Sequence, residues 1–184
     1  MFRTRIFAVT VFCLVSTAGY AADFKLTSPT IKSGATLTEK QVFNGFGCSG
    51  ENQSPALKWT AGPKGTKSYA ITVYDPDAPT GSGWWHWVVY NIPANVNELP
   101  AGAGDPSGKL MPPGAVQGRT DFGTHAFGGA CPPQGDKPHR YIFTVYSLKI
   151  ELIDVPPDSS AALIGFMINA NFLSKASFTA KYGR

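Results

Sequence analysis

Residues 69–93 constrain the fold most, because they read as two strands separated by a polar connection that cannot itself be strand. In Tyr69-Ala70-Ile71-Thr72-Val73-Tyr74-Asp75 side chains alternate faces with period two, which places Asp75 on the side of Ile71 and Val73. An acid therefore ends an apolar row. The connection opens with Asp75-Pro76-Asp77-Ala78-Pro79, whose prolines withhold ladder donors, and Gly81 and Gly83 let the chain turn back. The return strand, Trp84-Trp85-His86-Trp87-Val88-Val89-Tyr90-Asn91, is apolar or aromatic on both faces, the pattern of a strand covered on both sides. His86 lies inside that cover, so a carboxylate and an imidazole come near one sheet end. Taken singly, Asp75 also reads as a turn cap and His86 as a core histidine with one hydrogen bond.

Elsewhere the strand signals are short, at 24–27, 41–43 and 56–60, and Gly45, Gly47 and Gly50 crowd the first long turn. No internal repeat appears, and no helical periodicity precedes the C-terminal part, so an all-β domain is the economical reading. A third long strand runs from His139 to Leu148. His139, Tyr141, Phe143 and Val145 share one of its faces, with Arg140 opposite and free to meet an acid. After Pro156-Pro157, Asp158 or Ser159 can cap a helix whose stripe Leu163, Phe166, Met167, Ala170 and Leu173 reads as core, and 176–182 is a closing strand. Residues 100–138 are rich in Gly and Pro and contain His125. Connections this long in compact domains are binding loops or linkers, and Phe122, Phe127 and Cys131 argue that this one is tied down.

The N-terminus carries a different signal. Arg3 and Arg5 precede an apolar run at 6–15 and then small residues, the layout of a secretory leader too short to span a membrane. Gly19 and Ala21 fit the small positions before a cut, so residues 1–21 are expected to be removed and 22–184 to form a single domain in the periplasm or medium. Losing Arg3 and Arg5 takes Lys+Arg from 16 to 14 against 12 Asp+Glu, and the formal charge from +4 to +2. With no basic run interleaved with aromatics, charge points to neither nucleic acid nor an anionic membrane. Cys13 leaves with the leader, and Cys48 and Cys131 remain as a pair. An even count outside the cytosol favours a disulfide, the other reading being two buried thiols; no Cys-x-x-Cys spacing points to redox or zinc chemistry.

Three segments carry a resemblance. Asp75-Pro76-Asp77-Ala78-Pro79, then Gly83-Trp84-Trp85-His86-Trp87-Val88-Val89, and later Pro132-Pro133-Gln134-Gly135-Asp136-Lys137-Pro138-His139-Arg140-Tyr141 resemble the phosphatidylethanolamine-binding protein family, in its bacterial Raf-kinase-inhibitor-like branch. The resemblance runs from about residue 24 to the end of the sequence. It implies a Greek-key β-sandwich with a short C-terminal helix, and a small cavity surrounded by Asp75, His86, His139 and Tyr141 that accepts phosphate-type anions or phospholipid head groups. Ala78, Pro79, Gly129, Cys131 and Pro133 would form its wall. Cys131 stands where many relatives have Gly or Ala, so a bridged sulfur would stiffen the rim. The implied function is binding without catalysis, with no cofactor or metal, and bacterial relatives imply a homodimer.

Three other classes compete. An interaction protein that inhibits a kinase or protease is the main one. Two histidines and a carboxylate could hold a metal, though no His-x-x-x-His spacing supports it. Ser82 with His86 and an Asp could form a hydrolase, though the Gly-x-Ser-x-Gly elbow is missing. The leader reading has a direct check: N-terminal sequencing of exported protein should find Ala22 or Asp23 first, and functional protein that retains Met1 would contradict it.

Overall fold

The computed structural model describes residues 23–184; the leader segment and its cleavage site lie outside the described residues. In chain order the strands are β1 (Leu26–Thr27), β2 (Asn44–Gly45), β3 (Cys48–Ser49), β4 (Leu57–Trp59), β5 (Ser68–Asp75), β6 (Trp84–Pro93), β7 (Glu98–Leu99), β8 (Val116–Gln117), β9 (His139–Leu148) and β10 (Phe172–Tyr182), with helix α1 (Ala161–Asn171) before the last. An antiparallel sheet in the order β10-β9-β5-β6-β8 dominates, so β9 returns to lie against β5. The small sheet β1-β4-β7 and the β2-β3 hairpin complete the strands among the described residues. This mostly-sheet fold with one short helix near the C-terminus is what the resemblance implied.

The large sheet is covered on both faces, as the unbroken apolar run of β6 required. On one face Leu57, Trp59 and Leu99 of the small sheet meet Ile71, Val73, Trp87, Val89, Phe143 and Val145. On the other, Ala161, Ile164 and Ile168 of α1 pack on Ala70, Val88, Tyr90 and Leu148. Full burial of each large aliphatic or aromatic side chain contributes about 1.5–3 kcal/mol, so these two layers dominate the drive to fold.

A bulge in β6 decides what faces what. Val73 pairs with Trp87 and Tyr74 with Trp85, which leaves His86 as an extra residue between the two pairs. An extra residue bends the strand and resets its alternation. Trp85 accordingly packs with the α1 layer, while His86 joins Trp87 on the inner side and meets the ring of Tyr141 at 5.0 Å. A second irregularity at Tyr90–Asn91 puts Asn91 at φ +59°, and its amide holds the Ile153 backbone by two bonds, 2.7 and 3.2 Å.

Three local expectations need correction. Residues 41–43 are not a strand: Glu39–Gln41 is a 3-10 turn in which Gln41 reaches back to the Thr38 N–H, and only Val42 makes a bridge, to Ala130. The helix cap is Ser160, whose hydroxyl accepts from the Leu163 N–H, one residue beyond the expected pair. Of the expected helical stripe only Met167 packs, half-buried, on the core. Leu163, Phe166 and Ala170 lie on the exposed side of α1, with Phe166 68% exposed, and Leu173 belongs to β10. Because α1 carries no charged residue, both of its faces are apolar, and small Ala161 and Gly165 let the Ile164–Ile168 side approach the sheet.

Cys48 and Cys131 are joined, with their Cα atoms 6.0 Å apart and a sequence separation of 83. The bridge ties the β2-β3 hairpin to the end of the long Gly/Pro-rich segment. Loop closure on this scale restricts the unfolded chain by up to about 4 kcal/mol in the entropy model. Replacing Cys48 and Cys131 by serine should lower unfolding free energy by about 2–4 kcal/mol in a denaturant titration, and an unchanged midpoint would show that the bridge adds nothing to stability.

Candidate functional site

β5, β6 and β9 bring their polar residues to one end of the large sheet. Asp75 is the last residue of β5 and pairs with Trp84, the first of β6, while His139 opens β9. Antiparallel neighbours that face each other share a side, so Asp75 and Trp84 point into the same space. The bulge swings His86 into it, and period two along β9 adds Tyr141 below His139. The resulting cavity has a volume of about 220 Å³. Drug-sized ligands occupy roughly 300–1,000 Å³, so this space suits a small anion or a head group.

Asp75 is buried with both oxygens engaged. Oδ1 accepts the Asp77 N–H at 2.8 Å, closing the turn of the Asp-Pro-Asp segment, and Oδ2 lies 2.8 Å from His139 Nδ1. A carboxylate oxygen there accepts only from a protonated nitrogen, so Nδ1 of His139 carries hydrogen. Nε2 of His139 faces Asp136 Oδ2 at 3.3 Å, and both contacts are hydrogen bonds together only when the ring holds two protons. On the outside of the same connection Arg140 donates its backbone N–H and two guanidinium N–H groups to Asp77 at 2.7–2.9 Å. These bonds hold the Asp77 carboxyl down at about 2. Asp77 thus stays ionised far into acid, and the connection stays clamped.

His86 is held differently. Its Nδ1 lies 2.7 Å from the Gly128 carbonyl, an acceptor, so Nδ1 donates; the Gly128 N–H in turn donates to the His86 carbonyl at 2.9 Å. In the neutral ring this leaves Nε2 without hydrogen, an acceptor. Burial lowers the pKa of His86 below its ordinary 6.5, against the pull of the Gly128 carbonyl and the Asp75 charge. Protonation of the buried ring is disfavoured, so the folded state by itself loses stability as pH falls through 6.5, where the unfolded chain takes up the proton. Tyr141 Oη and Trp84 Nε1 are buried polar groups with no hydrogen-bond partner among the described residues. Burial, then the nearby Asp75 carboxylate, pushes the Tyr141 phenol up, so it remains an O–H donor.

Asp75, His86, His139 and Tyr141 therefore come together, and Ala78, Pro79, Cys131 and Pro133 line the same cavity. Gly129 does not. It sits behind the wall, where a Cβ would run into the Gln41 carbonyl, and its N–H donates to Asn52 Oδ1 at 2.7 Å. His125 is also elsewhere, bonded to the Gln117 carbonyl and 3.5 Å from Asp158. Ser82 lies outside the lining, with its carbonyl accepting from Tyr74. Among the described residues no group of three or more His, Cys, Asp or Glu side chains is arranged to hold a metal ion.

Sequence reasoning missed Trp84, Phe122, Phe46, Thr80 and Pro132 in the lining. Trp84 had a signal, since a strand that turns back from Asp75 must place some residue opposite it. Phe122 had none: it reaches the cavity because its loop hydrogen-bonds along the outer edge of β6, Asp121 to Trp85 and Gly128 to His86.

Comparisons with known proteins agree with this fold. The sequence model described as phosphatidylethanolamine-binding protein matches residues 27–183. The UPF0098 protein YbcL of Escherichia coli (strain K12) is 57% identical over 173 residues, 94% of each chain, and YbhB of the same organism is 52% identical over 159 residues, 86% of this chain and 99% of YbhB. The crystal structure of E. coli YbcL, described as a new member of the mammalian family, superposes with a TM-score of 0.87 at 59% identity, over 89% of this chain and 99% of that one. A homologue from Chlamydia trachomatis, described as a putative phosphatidylethanolamine-binding protein, reaches a TM-score of 0.72 at 28% identity, over 88% and 97%. Matched along nearly all its described length by sequence and by fold, the chain belongs to the phosphatidylethanolamine-binding protein family.

Proposed function

We propose that the chain is an exported, non-enzymatic binding protein whose cavity holds a phosphate-type group, either a free anion or the phosphate of a phospholipid head group. The observation that carries this reading is the pair of buried donors, Tyr141 Oη and Trp84 Nε1, which have no partner among the described residues and belong to side chains lining the same small cavity as His86. An unpaired buried donor costs about 1–3 kcal/mol, a penalty that a ligand oxygen would relieve once the lining yields enough for it to reach the fully buried atom. Export is supported by the leader pattern and by the Cys48–Cys131 bridge, a pairing characteristic of oxidising compartments.

Asp75 does not repel such a ligand as a bare carboxylate would, because its oxygens are already bonded to Asp77 and His139. His86 sets the proton requirement. Its neutral Nε2 cannot donate to a phosphate oxygen, so the complex forms either with an imidazolium or with a monoanion that donates its own O–H to Nε2. Both routes bring in one proton relative to a neutral ring and a phosphate dianion.

Affinity for inorganic phosphate and phosphoethanolamine should therefore rise as pH falls from about 8 to about 6, by no more than about tenfold per pH unit, the slope for one proton. Calorimetry across that range reads it directly. Tyr141→Phe deletes a hydroxyl that has no partner among the described residues, so its melting temperature should not fall while affinity drops by about 1.5–3 kcal/mol; His86→Ala should weaken binding by about 1–3 kcal/mol. Unchanged affinity in both variants would remove the site. Ligand turnover that depends on either residue would replace binding with catalysis.

A further inference from the structure

One aromatic side chain at the cavity mouth is held in a strained backbone conformation, with its ring against Phe43 at 5.4 Å. Phe46 lines the cavity yet is 69% exposed, and its φ of +54° lies in the left-handed region. With Gly47 at φ +81° it forms the two-residue turn between β2 and β3, whose first position suits Asn, Asp or Gly and strains a Phe. An exposed apolar residue alone is ordinary. A strained one pinned from several sides is not.

Three restraints converge on this turn. The Cys48–Cys131 disulfide starts one residue beyond Gly47 and anchors the hairpin to the cavity wall. Arg184 donates to the carbonyls of Pro132, Gly47 and Phe46 at 2.8, 3.1 and 3.4 Å, bridging the two sides of the mouth. The Phe46 ring stacks on Phe122 with centroids 5.9 Å apart and planes 14° from parallel, and Phe122 in turn meets Trp84 and His86 at 5.4 Å. A continuous aromatic surface thus runs from the imidazole out to solvent, with Phe46 as its outer end.

We propose that Phe46 determines ligand choice, favouring phosphate esters with an apolar substituent over free phosphate, and that the disulfide and Arg184 serve to hold it in place. The proposal rests on the phosphate reading above and narrows it to a ligand class: the phosphate sits among His86, Tyr141 and Trp84, and the substituent leaves along Phe122 and Phe46. Covering part of one aromatic ring is worth about tenfold in affinity at the usual transfer free energy per unit area.

Titration calorimetry with three probes tests this: inorganic phosphate, phenyl phosphate, and a short-chain phosphatidylethanolamine kept monomeric. The wild-type protein should bind at least one of the esters about tenfold more tightly than inorganic phosphate, and the ester that shows the gain identifies the substituent as aryl or diacyl. Phe46→Asn should bring the ester and phosphate affinities to within about twofold of each other, a ratio that a shift common to both ligands does not move, while Asn keeps the turn. Cys48→Ser combined with Cys131→Ser should reduce the gain while phosphate still binds. If phosphate binds and neither ester gains, or if Phe46→Asn keeps the gain, the proposal is overturned and the phosphate reading stands. If no probe binds the wild type, both fall.

Discussion

The buried hydrogen bond between Asp75 and His139 holds the site together. It joins the last residue of β5 to the first of β9, where the two strands part and the ladder between them ends. Without it a carboxylate would be buried with one remaining partner, a loss of about 1.5–3 kcal/mol for the charged hydrogen bond alone. Its other oxygen folds the Asp-Pro-Asp turn, and that turn carries Asp77 to Arg140 on the outer surface. A single residue thereby fixes the imidazole tautomer, the connection and the cavity wall.

Against that fixed edge, the bulge in β6 supplies the variable part. Strict alternation back from Val88 would point His86 at α1, into a layer of Ile164 and Ile168, where an imidazole has nothing to bond. One extra residue turns the ring inward, and the long loop supplies both the Gly128 carbonyl for Nδ1 and the Phe122 ring beside it. The loop is itself tied through Cys131 to the β2-β3 hairpin. Chemistry at the sheet end therefore depends on segments with almost no regular structure, kept in place by hydrogen bonds to β6 and one covalent link.

This division explains what the sequence made legible. Alternation in β5 and β9 placed Asp75, His139 and Tyr141 on one side and Arg140 on the other, because regular strands obey period two. The even cysteine count led to the bridge. The inward aim of His86 was not readable from period, since a bulge leaves no mark in the composition of Trp85-His86-Trp87. The buried face of α1 was not readable either: with no charge on the helix, two apolar stripes compete, and only the neighbouring Trp85 and Val88 show which one packs. Phe46 was hidden for a third reason, as its position follows from a turn conformation that its own residue type disfavours.

Phosphate binding of the kind proposed requires that His86 present a bare Nε2 to the cavity until a phosphate group brings a proton to it. Long-range proton–nitrogen correlation spectra of the histidine rings near neutral pH measure this most directly. The expected result is a neutral His86 with hydrogen on Nδ1 alone, and a second proton at or near Nε2 once inorganic phosphate is added. A ring with hydrogen on Nε2 before phosphate is added, or one whose nitrogen shifts ignore saturating phosphate, would contradict it.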